Sequence, residues 1–168
     1  MDKTHFPDKR ENQKIILFVH KIMTCFWNAL ITGLPREIFQ NDTQTIRSLR
    51  TSICSHHSPS SLVSFLQSNN KETPNVQIQN QYLSDQRKRE NKEAVQIFDP
   101  HSIYGGYFCS AEDPFLFLVA ELFQINIHHN FYGTLCIYTF IDPQTKAPSC
   151  KTLSLHSSNG HMNFGGFR

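Results

Sequence analysis

The sequence predicts one α+β sheet domain, and three observations carry the prediction. Apolar residues recur at helical spacing in the front of the chain, whereas short β-prone runs dominate its last third. Between them Pro114–Phe123 is apolar nearly all round, the pattern of a helix buried on every side. At 168 residues, with 39% hydrophobic and 12% aromatic content, the chain has the length of one domain and the apolar surface for a core.

A polar segment over residues 1–13 precedes the domain, which runs from 14 to 168. Ile15–Val19 reads as a short strand. Phe26, Ala29, Leu30 and Leu34 then recur at helical spacing, with Gly33 as a left-handed cap and Pro35 as the stop. A second helix is expected to begin near Asn41 or Asp42, where Ile46, Leu49 and Ile53 follow the capping residue. From about 55 to 92 Ser, Asn and Gln dominate, and the stretch reads as a variable insertion with a weak helical patch at Leu62, Val63, Phe65 and Leu66. Its charge run, Asp85–Glu93, reads as a solvated helix face or flexible arm. Tyr104-Gly105-Gly106 predicts a turn that needs a permissive backbone. Asp113-Pro114 supplies an N-cap with proline in the first turn of the buried helix. Ile125–His129, Leu135–Phe140 and Leu153–His156 read as strands, with a loop at Asp142–Ser149 and a tight turn at Ser157–Gly160.

Composition narrows the function. Sixteen basic against fourteen acidic residues leave a formal charge of +2, which argues against a nucleic-acid binder driven by bulk charge. No aromatic residue interrupts Arg87-Lys88-Arg89, which weakens a nucleic-acid reading there too. Apolar runs such as Ile15–Val19 and Phe115–Ala120 fall far short of a membrane span. The first dozen residues hold no apolar signal segment, and five cysteines without one read as reduced thiols of a cytosol-like compartment.

Cys25 stands where a loop is expected to enter a helix, and a helix N-terminus favours negative charge on sulfur. The free N–H groups of that first turn suit an oxyanion. A nucleophilic sulfur also needs a histidine, and a third group to orient the ring. His161-Met162-Asn163 offers both if the segment is extended, because residues two apart share a face. Spacing alone leaves Cys25 open as a buried core thiol and His161 as a surface histidine. Cys54-Ser55-His56-His57 lacks a second ligand pair at zinc spacing, and His128-His129 on a strand would face opposite ways, so no metal is expected.

Taken in order, several segments resemble the ovarian tumour (OTU) cysteine peptidases. They are Cys25-Phe26-Trp27-Asn28-Ala29-Leu30 with the downstream Ile46-Arg47-Ser48-Leu49-Arg50, Tyr104-Gly105-Gly106, the apolar helix around Glu121, Ile125-Asn126-Ile127, Leu153-Ser154-Leu155 and His161-Met162-Asn163. The resemblance spans about residues 15 to 164 and implies a papain-like fold, a small central sheet flanked by helices. It implies a cytosolic deubiquitinase that hydrolyses the bond after the C-terminal glycine of ubiquitin, without a cofactor. Its partner would be ubiquitin or polyubiquitin chains, with no nucleic acid, no membrane and a monomeric state. By the same resemblance Cys25 is the nucleophile, His161 the base and Asn163 the group that orients it. Met23, Thr24 and Cys25 form the oxyanion loop, and Tyr104, Gly105 and Gly106 border the channel for the ubiquitin tail. Glu112 and Asp113 are candidates to pair the tail's arginines, Asp113 having the helix cap as its other reading.

The chain departs from the family in two places. Ile22-Met23-Thr24 replaces the usual Asp-Gly-Asn, and Met162 replaces an aromatic residue. Two alternatives therefore stay open beside an active enzyme: a non-catalytic ubiquitin-binding pseudoenzyme and a papain-like peptidase for another substrate. The composition would also suit a bacterial effector or viral protein acting in a host cytosol.

Overall fold

The computed structural model describes residues 25–34, 59–70 and 72–168. The expected strand at Ile15–Val19, the helix from Asn41 or Asp42, the Ile22-Met23-Thr24 loop and the Cys54-Ser55-His56-His57 cluster lie outside them.

Along the described chain come α1 (Cys25–Gly33), α2 (Pro59–Ser68), β1 (Val76–Ile78), β2 (Gln81–Tyr82) and α3 (Asp85–Ile97). A 3-10 helix (Pro100–Gly105), α4 (Pro114–Phe123), β3 (Asn126–Phe131), β4 (Thr134–Phe140), β5 (Thr152–Ser158) and β6 (His161–Phe167) follow. The strands form one six-stranded sheet in the order β2-β1-β4-β3-β5-β6. Only the β3–β5 pair is parallel. The α+β class is borne out.

Turn chemistry sets the register. Tyr132 and Gly133 join β3 to β4, and Asn159 and Gly160 join β5 to β6, all four at positive φ. Two-residue turns of this kind match the twist of paired strands. Alternation then buries Ile127 and His129 of β3, Cys136, Tyr138 and Phe140 of β4, Leu153, Leu155 and Ser157 of β5, and Met162 of β6. His129 is buried and His128 only half-buried, so the two do face opposite ways.

The helices cover that buried row. In α4 every residue from Phe115 to Ala120 is buried, and Phe117 stacks edge-on against Tyr138 with ring centroids 4.8 Å apart. Asp113 caps the helix by accepting from the Phe115 N–H at 3.0 Å, with Pro114 in the first turn. Phe26, Trp27, Phe98, Tyr107 and Phe115 form an aromatic cluster that ties α1 to α4. Trp27 is core, fully buried.

One expectation needs correction. Helix α1 does end at Gly33, but this glycine is not a left-handed cap, because it is absent from the positive-φ positions. Its role is close packing: a Cβ there would lie 2.6 Å from Leu153 Cδ1 and 2.7 Å from Phe164 Cδ2. The Ser/Asn/Gln-rich stretch, in turn, contributes to the centre of the fold. Leu62, Val63 and Leu66 of α2 are fully buried, and Val76 of β1 pairs with Phe140 of β4 inside the main sheet. The charge run is helical as read: Ser84 caps α3, and Lys88–Asp85 and Arg87–Glu90 pair along its exposed face. Among the described residues no helix is long and apolar enough to cross a membrane.

Candidate active site

Cys25 is the first residue of α1, and α1 lies along β6. Its sulfur accepts a hydrogen bond from the Met162 N–H at 3.3 Å and lies 3.9 Å from the Gly160 carbonyl oxygen, which its thiol can reach as a donor. The thiol thus sits against the backbone of the turn that opens β6. That turn is itself anchored, since the Gly160 N–H donates to the Tyr132 hydroxyl at 2.9 Å. The β3–β4 turn thereby holds the β5–β6 turn, and both hold the sulfur.

Around the sulfur lies a cleft of about 30 Å³, lined by Cys25, Phe26, Tyr107, Phe108, Cys109, Tyr132, Ser157, Gly160, His161 and Met162. That volume admits about one water molecule. His161 is exposed at the start of β6, in the same cleft as Cys25. Asn163 is also exposed, two residues along, with buried Met162 between them. It lines the adjoining opening of about 270 Å³, again with Cys25. The structure therefore brings Cys25 next to both, with His161 and Asn163 on one side of β6. No hydrogen bond joins His161 to either among the described residues. Catalytic hydrogen bonds are often long before substrate binds.

The other expected site residues fare differently. Met23 and Thr24 lie outside the described residues. Tyr104 and Gly105 end the 3-10 helix, and Gly106 caps it at φ 97°, so the expected permissive position is Gly106. Gly105 and Gly106 do not line the cleft; they deliver Tyr107, Phe108 and Cys109, which do. Asp113 is not available to a basic tail. Its carboxylate is fully buried and accepts from the Tyr107 hydroxyl at 2.8 Å, the Ser110 N–H and the Phe115 N–H. Burial pushes this carboxyl up to about 6, against those hydrogen bonds. Glu112 remains half-exposed, 3.8 Å from the Arg87 guanidinium.

Sequence reasoning missed the cleft's polar floor. Ser157 was read as a turn residue, yet it ends the buried row of β5 and bonds His129 Nε2 at 2.7 Å. Cys109 Sγ lies 3.5 Å from the same hydroxyl, and burial pushes its thiol up to about 11. Burial pushes the His129 imidazole down to about 4, helped by nearby His156. Strand alternation could have shown that Ser157 faces inward, by extending Leu153–Leu155 one more step, but not that His129 lies beside it. Among the described residues no group of three or more His, Cys, Asp or Glu is gathered as for a metal ion. Compared with protein-family models, with curated proteins and with solved structures, the chain matches none.

Proposed function

We propose that this chain is a thiol-dependent deubiquitinase of the papain-like OTU kind, with Cys25 as nucleophile, His161 as base and Asn163 as the residue that orients it. The observation that carries the reading is the seat of the Cys25 sulfur: at a helix N-terminus, 3.3 Å from a β6 N–H, in one narrow cleft with His161. A helix N-terminus stabilises developing negative charge, which a sulfur nucleophile and its oxyanion both need.

In the proposed reaction His161 takes the thiol proton as the sulfur attacks the carbonyl carbon of ubiquitin's last glycine. The tetrahedral oxyanion is held by backbone N–H groups at the start of α1. Collapse breaks the C–N bond, and the proton passes from His161 to the departing lysine amine. A water molecule then gives its proton to His161 and attacks the thioester, releasing the carboxylate and the free thiol. Asn163, on the same side of β6 as His161, keeps the ring in the tautomer that faces sulfur.

Hydrolysis of a fluorogenic amide at the ubiquitin C-terminus tests the reading, with Cys25→Ala beside wild type. Turnover that disappears in the variant, while ubiquitin affinity survives, is the expected result. Turnover retained by Cys25→Ala removes the assignment. Ubiquitin binding without turnover in wild type would make the chain a pseudoenzyme, the reading that the Ile22-Met23-Thr24 departure favours.

A further inference from the structure

The inward row of β3 reads Ile127, His129 and the half-buried Phe131, and its middle member is out of keeping. His129 is 0% exposed, and its Nδ1 has no hydrogen-bond partner among the described residues. Burying an imidazole with half its hydrogen bonding unmet opposes folding, and an apolar side chain at this position would be cheaper. Its one polar bond is the 2.7 Å contact with Ser157. Ser157 is only 2% exposed, and what it exposes opens into the cleft that holds Cys25. A local cost without a structural return is the mark of a functional position.

We infer that Ser157 is a substrate-positioning residue of the Cys25 cleft, its hydroxyl held by His129 and offered to a backbone carbonyl of the extended peptide threaded past the nucleophile. This rests on the deubiquitinase reading, for which that peptide is the ubiquitin tail. The tautomer fixes the direction of the bond. With its proton on Nδ1, His129 would bury an N–H that has no acceptor; with its proton on Nε2 only a lone pair goes unmet. Nε2–H therefore donates to the Ser157 oxygen, and the serine O–H is left free to donate. Without substrate it can turn to Cys109 Sγ, 3.5 Å away. That contact is weak, so a carbonyl displaces it at little cost. His129 does not reach the cleft; it sets the hydroxyl's direction.

Steady-state hydrolysis of the fluorogenic ubiquitin amide tests this on the full chain. Ser157→Ala removes one hydrogen bond to bound substrate, so KM is expected to rise about fivefold to tenfold with kcat unchanged. The double variant Ser157→Ala/His129→Leu is expected to match Ser157→Ala in KM and to melt no lower than wild type, because both polar partners leave together. A merely structural pair would give the reverse pattern, a lower melting temperature and an unchanged KM, and would overturn the inference. A loss confined to kcat would overturn it too, by moving Ser157 from bound substrate to the transition state. Wild type that turns over while Ser157→Ala keeps its KM sinks this inference alone. Wild type without turnover sinks the deubiquitinase reading, and this inference with it.

Discussion

Asn163 and Cys25 make different demands on a substitution. In the proposed reaction Cys25 supplies the bond-forming atom, so nothing replaces its sulfur. In the same proposal Asn163 acts only through His161, which itself lines the Cys25 cleft. Asn163→Ala is therefore expected to lower kcat by about tenfold to a hundredfold, well short of the loss in Cys25→Ala. Measuring kcat for both on one substrate checks this, and equal losses would mean that Asn163 does more than orient the ring. Asp113 and His129 act instead on stability, in opposite directions. Burial raises the Asp113 carboxyl to about 6, so its contribution is present below the unfolded carboxylate range and is lost as pH rises through 6. His129, held down at about 4, contributes above the unfolded histidine range and loses that contribution as pH falls toward 4. Asp113→Asn keeps a capping oxygen and removes the titration. Relative to wild type it is expected to become steadily more stable between pH 4 and 7 in denaturant unfolding, and a difference that stays flat across that range would contradict the assignment.

At the scale of elements, α1 is placed by its two ends. Cys25 meets the β6 turn, and Gly33 lets the helix approach Leu153 and Phe164. Alanine in place of helical glycine normally gains up to about 1 kcal/mol. Here the new Cβ would press on a fully buried Leu153, and overpacking costs about 1 to 3 kcal/mol. Gly33→Ala is expected to destabilise by about 1 kcal/mol net and to lower turnover by shifting Cys25. Thermal melting and kinetics read both, and a stabilised, fully active variant would refute this account of α1. The same helix shows what the sequence made legible. Its apolar spacing is local information, as are the Asp113-Pro114 cap, the bounds of α4 and the strands β3, β4 and β5. The function of Gly33 was not legible, because it depends on side chains over a hundred residues away. Nor was the β1–β2 hairpin, whose Gln79 and Asn80 turn sits in a polar stretch without an apolar alternation to announce it. The order of Cys25, His161 and Asn163 along the chain was visible in the residues. The Ser157–His129 pair was not, since a parallel β3–β5 pairing cannot be read from either strand alone.

For the whole molecule, the segment from 55 to 92 is the point at which sequence composition and architecture diverge. Its composition is polar, yet it brings α2 into the core and β1 into the central sheet. Deleting it is expected to unfold the domain rather than to alter its preference among ubiquitin chains. Circular dichroism of the truncated protein checks this, and a folded truncation that melts cooperatively near the wild-type temperature would contradict it.

The central claim is that Cys25 is an aligned nucleophile at the end of a channel for the ubiquitin tail. Ubiquitin carrying a C-terminal electrophile reads both halves at once, by intact mass of wild type and Cys25→Ala after incubation. The account predicts a one-to-one adduct in wild type that is absent from Cys25→Ala. A folded wild-type protein that forms no adduct, or an adduct that persists in Cys25→Ala, would contradict it.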